Sequence, residues 1–239
     1  MKYIVLLLTG LAAFAVAAQE NPILLGAGLR ARPAYDGSST QHGDVIPVIR
    51  YYGKSWFART TQGMLEGGVR SELAPEFWAG AQLAYEAGRK KSESAFLASR
   101  NEPDLDVGVS AGLHLEWDRK LGRMPINFLI RARQHLDSDR GAQADVRITG
   151  GIFSRGGFQA GVFGQATYGS ANAVGSMYGV HNAGLMFLSV GLLGSYDISR
   201  HWVAVGSYEL RSLRDDVARS PLAERTTNFY ASAGLAYRF

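Results

Sequence analysis

Leu105, Val107, Val109, Ala111, Leu113, Leu115 and Trp117 alternate with Asp106, Gly108, Ser110, Gly112, His114, Glu116 and Asp118. Successive side chains point to opposite faces only in an extended chain, so this period of two specifies a β-strand. One face carries no charge, while the other carries three acids and a histidine. Such a strand suits a wall between hydrocarbon and water. The pattern recurs at residues 77–88, 126–135, 144–152, 158–168, 186–196 and 202–210. It closes the chain at 228–239, where Phe229, Ala231, Ala233, Leu235, Tyr237 and Phe239 share a face. Shorter segments at 23–32, 44–52, 55–61 and 64–70 fill the N-terminal third. The sum is about twelve strands, with ten as the alternative if two short segments merge or fail to cross.

A soluble sandwich also alternates, so the polar face must decide. Asp106, His114, Glu116, Arg131, Arg133, Asp145, Arg147, Glu209 and Arg211 bring opposite charges to matching depths. Pointing inward, they would pair across neighbouring strands of a wet lumen. The expected fold is therefore an all-β, transmembrane, antiparallel up-and-down barrel. The chain is 46% hydrophobic with a mean hydropathy of −0.06. After the leader, nothing approaches the ~18 consecutive apolar residues of a membrane helix. Short links at 53–54, 71–75, 119–123, 154–157 and 197–200 alternate with longer ones at 33–43, 89–103, 169–183 and 212–224. Short turns face the periplasm in such barrels and long loops face outward, which puts both termini on the periplasmic side. Tyr51, Trp56, Phe77, Trp117, Tyr196, Trp202 and Phe239 stand near strand ends, where an aromatic girdle belongs.

The ends of the chain agree. Met1-Lys2, an apolar run at 4–16 and Val16-Ala17-Ala18 read as an export signal cut after Ala18. Residues 1–18 would then be the signal peptide and 19–239 the barrel. Tyr237 and Phe239 resemble the C-terminal signal read by the barrel assembly machinery. No sheet edge can stay open in lipid, so 23–31 should pair with 226–239.

Other chemistry finds little support. The absence of Cys removes disulfides, thiolate metal sites and Cys nucleophiles. The net charge is +4 with no basic block, which argues against nucleic acid. His42, His114, His135, His181 and His201 have no metal-site spacing. His135 with Asp137 and Ser138 forms a hydrolase-like set only if a turn begins at Asp137; an ordinary Asp-Ser-Asp turn is the plainer reading. No catalytic residue, metal or cofactor is expected. Arg131, Arg133, Arg147 and Arg211 fit an anion-favouring pore, whereas Asp106, Glu116 and Asp145 fit ion pairs that close it. Arg89-Lys90-Lys91 could meet lipopolysaccharide phosphates at an outer strand end. Pro33 and Tyr35-Asp36-Gly37 read as a turn in which Asp36 caps its own backbone. Gly26 and Gly28 sit inside a strand with no helix after them, so they are no phosphate cradle.

Gly26-Ala27-Gly28, Pro33-Ala34-Tyr35-Asp36-Gly37-Ser38, Val45-Ile46-Pro47 to Tyr51-Tyr52-Gly53 and Trp56-Phe57-Ala58 stand in order along the chain. Asp106-Val107-Gly108, Met177-Tyr178-Gly179-Val180 and the closing Gly234-Leu235-Ala236-Tyr237-Arg238-Phe239 follow. Together they resemble the MipA/OmpV family of outer-membrane proteins. The resemblance implies an outer-membrane barrel among lipid and lipopolysaccharide. It also implies a scaffold role, because the family's namesake links a lytic transglycosylase to a bifunctional murein synthase. Other members are associated with adhesion, osmotic response, antibiotic susceptibility or solute passage. The leading expectation is a non-enzymatic scaffold. A narrow solute channel and a barrel hydrolase are the alternatives.

Overall fold

The computed structural model describes residues 23–239, so the export-signal reading lies outside the described residues. Twelve strands follow one another as β1 (Leu24–Pro33), β2 (Gln41–Tyr52), β3 (Trp56–Thr61), β4 (Met64–Ala74), β5 (Phe77–Glu86) and β6 (Gly108–Leu121), then β7 (Met124–His135), β8 (Ala142–Arg155), β9 (Phe158–Gly169), β10 (Gly184–Asp197), β11 (Trp202–Leu213) and β12 (Thr227–Arg238). Each pairs antiparallel with its chain neighbours, and β1 pairs with β12, closing the cylinder. The seam runs from Leu24 opposite Arg238 to Ala31 opposite Ala231. The barrel thus has twelve strands, not ten.

Burial is inverted relative to a water-soluble protein. Leu29, Val45, Leu113 and Val190 project outward at 68%, 76%, 67% and 61% exposure, while Glu66, Glu116 and Asp145 are buried. Soluble monomers rarely expose an apolar patch of more than a few hundred Å², so a continuous belt of this kind calls for lipid. No helix among the described residues is long and apolar enough to cross a membrane. The crossing is made by strands.

One end carries only tight turns. At the β8–β9 hairpin, Gly156 and Gly157 adopt φ of 61° and 80°, the left-handed pair that matches strand twist. The other end carries the loops. Within them lie α1 (Ala95–Ser99), α2 (Ala171–Tyr178) and α3 (Asp215–Ala218). The Ser170 hydroxyl caps α2 by accepting the Ala173 amide, and Gly179 ends it in the left-handed region at φ 69°.

Three local departures from alternation matter. First, β4 continues to Ala74, which shortens the expected 71–75 link to Pro75-Glu76. Second, β6 begins at Gly108, because Leu105 exchanges two 2.8 Å backbone hydrogen bonds with Arg89 in a loop bridge. Third, Leu185 pairs with Tyr168 and Phe187 with Thr167, leaving Met186 as a bulge. Met186, expected on the lipid face, is consequently buried beside Phe187.

At the loop end, the β3–β4 hairpin bends into the barrel. β3 pairs with β2 over three residues, Phe57, Ala58 and Arg59. Beyond them Thr60, which shares the outward face of Trp56 and Ala58, is buried. The tip residues Gln62 and Gly63, at φ 52° and 78°, make a tight turn inside the wall. Gln62 Nε2 donates to Glu209 on β11 at 2.7 Å, and Arg30 on β1 donates to the Gln62 carbonyl at 3.1 Å.

Candidate functional site: a lumen closed by ion pairs

Glu66 is the centre of the interior. Its Oε1 accepts from Arg59 Nε at 2.5 Å and Thr61 Oγ1 at 3.1 Å. Its Oε2 accepts from Arg131 Nη1 at 2.6 Å and Gln82 Nε2 at 3.0 Å. Arg59 also reaches Glu116 and the Tyr52 hydroxyl. Arg131 Nε continues to Asp145 at 2.9 Å, and Asp145 accepts Thr167 Oγ1 at 2.8 Å. Arg133 bridges Asp145 at 3.3 Å and Glu86 at 3.0 Å. One connected network therefore spans β3 to β9. Inward-facing positions on seven successive strands place it, since alternate residues of each strand reach the same axis.

A second cluster completes the circuit. Arg211 pairs with Glu209 at 3.1 Å and with Asp36 at 2.8 Å, and stacks over Phe187 and Tyr230. Asp36 also accepts from Tyr230 and, at 3.4 Å, from Tyr178. Its carboxylate does not cap its own turn but accepts from these three residues, on β11, β12 and α2. The Gln62 bond to Glu209 ties this cluster to the inturned hairpin.

Above lies a lid. Val174 and Tyr178 of α2 pack with Met186, Phe187, Leu213 and Val217. Ala34 and Tyr35 pack with Leu97 of α1 and Leu222. Glu224 accepts from Tyr35, Ser38 and Ser39, with the Ser39 hydroxyl at 2.7 Å. Burial pushes the Tyr35 hydroxyl above its ordinary range, helped by the nearby Glu224 charge. Slight burial pushes Glu224 up, but the Ser39 hydrogen bonds outweigh it and leave its pKa lowered. Loops 34–40, 87–107, 170–183 and 214–226 are thereby joined over the mouth.

His114, Glu116, Arg131, Arg133, Asp145, Arg147 and Glu209 are all buried inside the wall, and Arg211 is nearly so. Arg147 lies over the Phe163 ring at 3.8 Å from its centroid, a cation–π contact. His114 sits edge-on to Phe57 at 5.1 Å. Asp106 does not belong with them. It precedes β6 and is exposed, and only its backbone carbonyl is used, accepting from Arg140 at 2.6 Å. The Arg89-Lys90-Lys91 cluster is likewise divided. Arg89 is buried and donates inward to the Met177 carbonyl at 2.7 Å, while Lys90 and Lys91 stay exposed. His135 accepts the Asp137 amide at Nδ1, and the Asp137 carboxylate accepts the Asp139 amide at 3.2 Å. That carboxylate caps a turn and does not orient the imidazole. Among the described residues no group of three His, Asp or Glu could hold a metal. At the turn end, Tyr237 packs edge-to-face with Trp202 and Phe239 at 5.3 and 4.9 Å.

Arg59, Glu66, Glu86 and Asp36 are among the interior residues that sequence reasoning missed. Glu86 stood on the polar face of its strand, so its parity was visible. The others lie in a six-residue strand, a short hairpin and a turn motif.

The family model described as MltA-interacting protein MipA matches residues 25–239. The chain belongs to the MipA family. Among solved structures, this MipA-family barrel is similar to the NanC porin at 11% identity. That match has a TM-score of 0.51 and covers 91% of this chain and 100% of the porin. An outer-membrane channel from Pseudomonas putida F1 is similar at 9% identity and a TM-score of 0.52, covering 91% and 96%. At such identities the likeness establishes the outer-membrane barrel fold. No curated protein sequence gives a significant match.

Proposed function

We propose that this MipA-family barrel is a non-enzymatic envelope scaffold, presenting surfaces to partners rather than a path to solutes. The observation that carries this reading is the Glu66 network, which joins inward side chains from β3 to β9 through paired charges. The lid and the inturned hairpin reinforce it. The family description names an interaction with MltA, and the scaffold would link a lytic transglycosylase to a murein synthase. The turn end supplies a docking rim. Lys54, Arg119, Lys120, Arg123, Arg155 and Arg200 are exposed there, against exposed Glu72 and the partly exposed Glu76 and Asp197. Such a rim favours an acidic partner surface.

The test is crosslinking in intact envelopes followed by purification of the barrel. A lytic transglycosylase or murein synthase should come with it, in amounts that fall when the rim charges are reversed. Recovery of neither enzyme removes the scaffold reading. A narrow solute channel is the second reading, favoured by the arginine-rich cavity at the loop end. Stable single-channel steps from the unaltered protein in planar bilayers would establish it in place of the first.

A further inference from the structure

Between the Glu66 network and the lid lies a cavity of about 210 Å³. Seven arginine side chains line it against three carboxylates, Asp36, Glu86 and Asp145. Most of these arginines are neutralised from the wall. Arg30 and Arg32 share Asp44, Arg131 holds Glu66 and Asp145, Arg133 holds Glu86, and Arg211 holds Asp36 and Glu209.

Two are different. Arg89 donates to the carbonyls of Met177 and Pro103, and Glu102 approaches it only to 3.9 Å. Arg140 donates to the Asp106 carbonyl and has no ion pair among the described residues. They are 5% and 8% exposed, and the Nε of each, like those of Arg30 and Arg133, is buried without a hydrogen-bond partner. Both guanidiniums donate to carbonyls of the same segment, 103–106, which the loop bridge between Arg89 and Leu105 holds in place. Buried cations held by neutral carbonyls are left short of countercharge, and a planar guanidinium matches an oxyanion fork. Burial also lowers the Arg89 pKa, the sign of a cation whose surroundings do not compensate it.

We propose that this cavity binds a small organic oxyanion, a carboxylate- or phosphate-bearing molecule, through Arg89 and Arg140. The ligand enters from the loop side, because the Glu66 network closes the cavity below. The site does not depend on the scaffold reading, which concerns the opposite rim.

The experiment is calorimetric titration of the folded, detergent-solubilised protein with inorganic phosphate, glucuronate and glucose at constant ionic strength set with chloride. Phosphate or glucuronate should bind with measurable heat, and glucose should not. Arg89→Gln with Arg140→Gln should weaken the binding at least about tenfold, the loss expected for removing charge-assisted hydrogen bonds. Met177→Trp, which leaves both arginines in place and fills the cavity, should also abolish it; this second variant decides the matter if the first does not fold. Lys90→Gln with Lys91→Gln, on the exposed loop, should leave binding unchanged. Binding of neither anion, equal binding of glucose, or undiminished affinity in the folded cavity variants would overturn the proposal.

Discussion

Glu66 receives four donors from three strands, its hairpin partner β3 together with β5 and β7, and it is almost wholly enclosed. A carboxylate so placed is stable only while its cations remain, and the converse holds for Arg59 and Arg131. Glu66→Ala leaves both guanidiniums with one fewer anion in a buried setting. Breaking a buried pair by removing one partner costs about 3–5 kcal/mol. The expected result is a lower urea midpoint for the detergent-folded barrel, followed by tryptophan fluorescence, and a change below about 1 kcal/mol would show that water had already replaced the missing partner. Gly26 makes a different demand. A Cβ there would collide with the carbonyl oxygen of Leu235 across the seam. Gly26→Val should therefore prevent β1 from reaching β12, seen as loss of the compact, heat-modifiable band on unboiled gels. A normal folded fraction for this variant would mean the seam tolerates wider spacing.

At the level of elements, the lid is held by contacts whose strength depends on pH. Glu224 ties loop 34–40 to loop 214–226 through Tyr35, Ser38 and Ser39. Its folded-state pKa is lowered, so it contributes stability above the unfolded value of about 4.3, and that stability is lost as pH falls through the folded value. The group is partly exposed and lies in a loop, so the effect is local. Protection factors in loop 34–40, taken relative to intrinsic exchange at each pH, should fall below about pH 4 in the native chain, and in Glu224→Gln they should be low and flat across that range. Unchanged protection of these amides at acid pH would remove Glu224 from the lid.

The same elements show what was legible beforehand. From β6 to β12 the period of two is long enough to count, and strand identity, facing and closure followed from it. Met186 was misplaced because Leu185-Met186-Phe187 is apolar throughout, and an inserted residue leaves no mark in such a run. Asp106 was misplaced because the Arg89 bridge keeps the backbone extended ahead of β6, so the alternation runs past the strand's true start. Arg59 and Glu66 were missed because six residues of β3 give too few repeats, and nothing in Gln62-Gly63 says that a hairpin tip will turn inward. Asp36 sits in a turn motif whose local chemistry hides its long-range partners.

Across the whole molecule, the question is whether a cylinder of twelve strands is held shut by its charges or merely contains them. The two possibilities differ in what happens when the charges leave in balance. Arg59→Ser and Glu116→Ser remove one bonded pair; Glu66→Ser and Arg131→Ser remove another. The lumen then loses two cations and two anions, so no net charge is introduced, and Arg133 still neutralises Asp145. Four long side chains are replaced by short polar ones, and water takes their volume. The unaltered protein is expected to be silent in planar bilayers, and the fourfold variant to open stable steps whose size grows with salt. Silence from a variant whose barrel is demonstrably folded would move the obstruction to the hairpin bond between Gln62 and Glu209 and to the α2 lid. In that case adding Gln62→Ala should release it, because the tip would then lose its hold on β11.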